Sequence, residues 1–171
     1  TNKQDNYLKC GLNLKAFTPN YLDDSIDENN DTERPYAGWS YLTFQSVSTF
    51  ENSYIRLGVE AGILGPASQA GQFQNWFHKN ISNDESVDWS GQIPNQLGVN
   101  IKGSYAFSIY DAILLDVYSN TDASIGTIFT YLWPKLNIRI GQFNEITTSV
   151  ATQNSLLTKT KFNEFFLEYG L

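Results

Sequence analysis

Residues 58–100 read GVEAGILGPASQAGQFQNWFHKNISNDESVDWSGQIPNQLGVN, and a change of period inside this stretch decides how the whole chain is read. On both sides of it apolar and polar residues alternate with the period of a strand that has one dry face. Between Gln69 and Ile81 the spacing becomes helical: Phe73, Phe77 and Ile81 recur at intervals of four, with Trp76 beside them. Pro66 and Ser68 stand just ahead, where a helix start favours them. The one histidine of the chain, His78, falls on this predicted helix. Gln74, one turn earlier, shares its face. A short helical insert over residues 69–82 of an otherwise all-strand chain is where chemistry is expected.

Upstream of the insert, Leu8, Cys10, Leu12, Leu14 and Ala16 fall on one face of a strand over 7–17, opposite Lys9, Asn13 and Lys15. Thr18-Pro19-Asn20 stops it, and an acidic loop, residues 23–33, follows. That loop lacks the glycine and spacing of an EF-hand, so a solvated surface is its simplest reading, with a calcium site as the alternative. Two further strands, about 38–47 and 54–63, are closely connected, as in a hairpin. Downstream, alternation continues over about 97–105, 112–119, 123–132, 135–141 and 162–171, with a turn at Ser108-Ile109-Tyr110-Asp111, a break at Trp133-Pro134 and a polar loop over 143–161.

This gives about eight strands joined up-and-down, in one domain over residues 1–171. A soluble sandwich would fit the count. Three features favour an outer-membrane β-barrel. The second face repeatedly carries Lys, Arg, Glu or Asn, which suits a wet lumen better than a sandwich core. The loops over 23–33, 65–94 and 142–161 are expected on one outer side, with short turns on the other. Tyr7, Phe17, Trp39, Tyr41, Tyr105, Tyr131 and Trp133 are expected at strand ends, as interfacial girdles. In such a barrel Leu8, Leu12, Leu57, Val99, Ile101, Leu136, Ile138 and Leu167 face lipid, and Lys9, Arg56, Glu60, Asn100, Lys102 and Arg139 face inward.

Composition agrees with this reading. A formal net charge of -7 argues against nucleic acid as a partner. No apolar run approaches the ~18 residues of a transmembrane helix, which says nothing of strands, whose alternation hides in hydropathy. The single Cys10 forms no intrachain disulfide and reads as a small apolar residue.

Several segments, in order, carry a family resemblance: Thr18-Pro19, Glu33-Arg34-Pro35-Tyr36-Ala37-Gly38-Trp39, Gly62-Ile63-Leu64-Gly65-Pro66-Ala67, Gln72-Phe73-Gln74-Asn75-Trp76-Phe77-His78 and Trp89-Ser90-Gly91-Gln92. Together they resemble the outer-membrane lipid A 3'-O-deacylase family, LpxR, whose motifs run TP, DRPYAGW, GxxGPA, QxQNWxH and GWDNQ. Asp88 stands here for the glycine of the last motif, Ser90-Gly91 for its Asp-Asn, and Glu33 for the aspartate of the second. The resemblance implies a twelve-stranded barrel of which this chain spans roughly the third to the tenth strand, truncated at both ends. The family's Asn-Asp pair and Thr or Ser, which complete its active and calcium sites, would lie on strands upstream, so this stretch alone is expected to be inactive.

The activity implied is hydrolysis of the 3'-linked acyloxyacyl chain of lipid A in the bacterial outer membrane, by a monomer whose partners are lipid A or lipopolysaccharide and the membrane itself. Such hydrolysis needs an activated water and a stabilised oxyanion. The resemblance makes His78 the general base, with calcium assisting, and Gln74 is placed to orient the imidazole or the water. Arg34 is a candidate ligand for a lipid A phosphate, or else an ion-pair partner of a loop carboxylate such as Asp31. Trp76 and Phe77 are expected to pin the helix against the barrel or the outer leaflet. No calcium ligands can be assigned, and Ser68 lacks the Gly-x-Ser-x-Gly surroundings of a nucleophile. A non-enzymatic barrel that binds lipopolysaccharide or serves a structural role, and a soluble lipid-binding β protein, are the alternative readings.

Overall fold

A computed structural model describes residues 3–18, 35–82, 87–155 and 163–171. Among them seven strands form one antiparallel sheet in sequence order: β1 Lys3–Phe17, β2 Ala37–Phe50, β3 Ser53–Leu64, β4 Gln96–Ala112, β5 Leu115–Gly126, β6 Tyr131–Gln142 and β7 Phe165–Gly170. Between β3 and β4 come a 3-10 turn, Pro66–Ser68, the helix α1, Ala70–Phe77, and a π turn, His78–Ser82. No helix is long and apolar enough to cross a membrane, a statement that leaves strands untouched.

Seven strands stand where the alternation suggested about eight. Ala112 ends β4 rather than starting a strand, because β4 runs through the expected turn at Ser108–Asp111 with a bulge between Ser108 and Tyr110. The chain turns instead at Ile113 and Leu114. The segments over 112–119 and 123–132 are largely one strand, β5, and the next turn lies at 127–130. Pro134 sits inside β6, opposite Thr121.

The two faces of the strands differ as the alternation requires. Leu8, Leu12, Leu97 and Leu167 are each 81% exposed or more, and Leu57, Val99, Ile101 and Leu136 are also exposed, with Ile138 partly so. An apolar face this continuous is a surface made for lipid rather than water. Cys10 lies on it. Opposite, Glu60, Asn100 and Arg139 are buried, and Lys9, Arg56 and Lys102 are partly buried. The aromatic expectation needs correction: Trp39 and Tyr41 are buried and stacked, with ring centroids 3.9 Å apart, on the polar face of β2. Tyr131 lines a polar cavity.

The contacts divide into two compact units. One comprises Thr1–Cys10, Phe44–Val59 and Asn100–Leu171, the other Gly11–Thr43 and Glu60–Val99. In the first, the polar face is covered by the chain following β6. Ile146 from this stretch joins Tyr54, Ala106 and Tyr118 in a small buried cluster. Arg139, fully buried, pairs with Asp116 and donates from Nη1 to Ser149 Oγ at 2.8 Å and from Nη2 to the carbonyl of Asn144 at 3.3 Å. Glu164 accepts the backbone N–H groups of Asn144 and Val150, at 2.7 and 2.6 Å. This corrects the expected side of the loop over 142–161. The stretch leaves β6 beside the β4–β5 turn, with the Gly141 N–H on the carbonyl of Leu114 at 3.0 Å, and so belongs to the short-hairpin end. Within it, Ser149 and the carbonyl of Asn144 answer the buried Arg139.

Candidate functional site

The second unit holds the insert, and small residues seat it. A Cβ on Gly38 would lie 2.2 Å from Ser68 Oγ and 2.6 Å from Ala70 Cβ, so only glycine lets the start of the helix lie on β2. Ser40 Oγ donates to the carbonyl of Ser68 at 2.5 Å, and the Gly65 N–H to the carbonyl of Gly38 at 2.8 Å. Gly65 takes a positive φ of 95°, a left-handed conformation that glycine adopts without strain, against the backbone of Ile93 and Pro94. Ser68 Oγ in turn accepts the N–H of Ala70 at 3.3 Å, at the helix start.

On its next residue the helix rests on Trp89. A Cβ on Gly71 would meet that ring at 2.7 Å, and the ring is backed by Tyr36 with centroids 5.1 Å apart. Asn75 closes the far side by a paired contact with Val87: Nδ2 donates to its carbonyl and Oδ1 accepts its N–H, each at 2.9 Å. Gly71→Val is therefore expected to loosen the insert by about 1–3 kcal/mol, since Trp89 has no room to retreat. Faster trypsin cleavage after the exposed Lys79, with the strands still protected, is the readout, and an unchanged cleavage rate would contradict this seating.

Held in this way, α1 turns its larger side chains outward. Phe73, Trp76, Phe77 and Ile81 are 41–60% exposed, while Ala70 and Gly71 are buried. Against β2 it is glycine and alanine that make the contact, while Phe77 lines a groove and Trp76 is exposed. That groove, of about 290 Å³, is bounded by Leu14 and Ala16 of β1 and by Ala70, Phe73, Gln74, Phe77 and His78 of the insert. Its walls are apolar except for Gln74 and His78. Gln74 Oε1 is buried without a hydrogen-bond partner among the described residues. His78 caps the helix, its N–H shared between the carbonyls of Gln74 and Asn75.

Of the residues singled out from sequence, the structure brings His78 and Gln74 to one groove, and Arg34 lies outside the described residues, as does the acidic loop over 23–33. The altered loop after the insert forms its own turn. The Ser90 N–H and hydroxyl both donate to the Asp88 carboxylate at 2.9 Å and hold it below the usual carboxylate range. Gly71, Asn75 and Leu14 went unremarked as site residues. Asn75 lay inside the quoted motif, Gly71 just ahead of it, and Leu14 was visible only as one more apolar strand position.

The chain spans 61% of the length of LpxR from Salmonella typhimurium, a solved structure to which it is similar over 99% of its own residues with a TM-score of 0.73 and 19% identity. A likeness at this identity is one of fold. No curated protein sequence matches the chain. A family profile described as outer membrane protein LpxR matches residues 1–167. With an apolar strand face suited to lipid and an insert seated in part by Gly38 and Gly65 of the recognised motifs, the chain belongs to this family of outer-membrane proteins.

Proposed function

We propose that the chain is the part of an outer-membrane esterase that carries the catalytic base and an acyl-chain groove, and that the reaction is hydrolysis of the 3'-linked acyloxyacyl chain of lipid A. The observation that supports this most directly is the apolar groove ending on His78 and Gln74. An acyl chain laid along Leu14, Ala16, Phe73 and Phe77 brings its ester to the two polar groups of the lining.

The neutral imidazole of His78 takes a proton from water as the water oxygen bonds to the ester carbonyl carbon. The imidazolium then returns that proton to the departing sugar oxygen as the acyl C–O bond breaks, leaving a fatty acid and a free hydroxyl. Gln74, whose buried Oε1 has no hydrogen-bond partner among the described residues, holds either the attacking water or the imidazole N–H. An unmet buried acceptor costs about 1–3 kcal/mol, which a bound water would offset.

The resemblance also implies calcium. Among the described residues no three carboxylate, imidazole or thiol side chains gather into a metal cluster. Calcium takes about 6–8 oxygen ligands, backbone and amide carbonyls among them; none is assigned to the described residues, and no step above passes through the ion. Arg34 remains the proposed contact for a lipid A phosphate.

The test is fatty acid released from lipid A by the purified full-length protein in detergent. Release is expected, with Gln74→Ala slowing it about 10-fold, less than loss of a base, since water can stand in for an orienting amide. No release by a folded parent protein would favour the non-enzymatic, lipopolysaccharide-binding barrel.

A further inference from the structure

The first unit contains a cavity of its own, of about 320 Å³. Its walls are Tyr54 and Arg56 of β3, Lys102 and Ser104 of β4, Asn120 and Asp122 of β5, and Tyr131 and Lys135 of β6, closed by Ala151–Gln153 from the chain after β6. The lining therefore carries three cations against one carboxylate. That carboxylate is already engaged: Asp122 Oδ2 accepts from Lys135 Nζ at 3.2 Å and from Asn120 Nδ2 at 3.0 Å. Lys9 adds a fourth cation at the closing segment, where its ammonium donates to the carbonyl of Gln153.

Arg56 is the informative member. Its Nη2 donates to two neutral acceptors, the carbonyl of Thr152 at 2.8 Å and Asn154 Oδ1 at 3.2 Å. Its Nε is buried with no acceptor among the described residues. Burying a charged donor unmet costs more than leaving a neutral one unmet, and crowding like charges adds to the cost. In a chain of net charge -7 with only 11 lysines and arginines, four of them converging on one cavity is not background.

We propose that this cavity binds a small multivalent oxyanion of the phosphate class, held by Arg56, Lys102 and Lys135, with Ser104 and Tyr131 as hydroxyl donors. A tetrahedral dianion supplies the acceptor that Arg56 Nε lacks and offsets the excess positive charge. The cavity volume accommodates such an ion with several waters, each taking about 30 Å³. Because the anion touches strand residues on one side and Ala151–Gln153 on the other, it also ties the closing segment to the sheet. The lining is polar on every wall described, so a soluble ion rather than an acylated phosphate is the occupant.

The experiment is thermal unfolding of the full-length protein in detergent micelles, titrated with inorganic phosphate against sodium chloride at matched ionic strength. A saturable rise in midpoint of about 3–6 °C with phosphate alone is expected at roughly ten times the dissociation constant. Arg56→Gln and Lys102→Gln should each remove most of it. Arg56→Gln also releases the closing segment, so Lys102→Gln, whose side chain is partly exposed, is the variant that keeps the test open if the first fails to fold. An equal rise with chloride, or an undiminished phosphate shift in folded Lys102→Gln, would overturn the assignment. A third arm uses short-chain dihexanoyl phosphatidic acid below its micelle concentration. A shift with that lipid and none with phosphate would overturn the small-ion assignment.

Discussion

Fatty acid release from lipid A by the full-length protein should fall about 10²–10⁴-fold in His78→Ala, the usual worth of a general base. The loss should appear in kcat with KM little changed, because the apolar walls of the groove, Leu14, Ala16, Phe73 and Phe77, are untouched. Folding should be unaffected. His78 lies beyond the last residue of α1, outside the strand ladder, and its capping contact is made by the backbone N–H, which alanine keeps. Far-UV circular dichroism and heat-modifiable mobility on gels check that the barrel is intact. Undiminished release by a folded variant would remove His78 from the mechanism.

The second large effect concerns stability. Arg139→Ala should destabilise the protein by about 3–5 kcal/mol, the cost of leaving a buried carboxylate without its partner. Both side chains are buried, 0% exposed for Arg139 and 3% for Asp116, so solvent cannot make good the loss. The guanidinium also lies over the rings of Tyr118, Phe143 and Phe166, at 5.1, 4.6 and 5.6 Å from their centroids, and anchors Ser149 and Asn144. Replacing both partners, Arg139→Met with Asp116→Leu, should cost less than the single change, since no lone charge remains. Urea unfolding in micelles measures both, and a single-variant loss below about 1 kcal/mol would show that the pair is not structural.

Strand faces were legible from sequence because a period of two fixes them wherever one face is dry. Leu8, Leu57, Ile101 and Leu167 thus emerged on the exposed apolar face, and Glu60, Asn100 and Arg139 on the buried polar one. Strand boundaries were less legible. The β4–β5 turn is made by Ile113 and Leu114, two apolar residues with none of the glycine or asparagine that marks a turn, while Ser108–Asp111, which has turn-like composition, is a bulged strand. Pro134 read as a breaker because proline brings no ladder N–H, yet it lies inside β6. The helix announced itself by its change of period. What holds it did not, since close approach at Gly38 and Gly71 is a property of paired surfaces and leaves no periodic trace. The stretch after β6 was read as a polar loop on the outer side, because serines, threonines and asparagines look alike whether they meet water or a buried arginine.

That same stretch has a consequence for assembly. Its contacts join positions far apart in the chain: Lys9 with Gln153, 144 residues away, and Arg56 with Thr152, 96 away. Contacts of such separation carry the largest loop-closure entropy and form slowly. Neighbouring hairpins, closed by turns as short as Ile113-Leu114, need no such search. The natural order is therefore strands first and the stretch after β6 last, at a moment when Arg139 and Asp116 are still hydrated. Burial of that ion pair is then expected late in folding, when the described residues 143–155 close over the sheet.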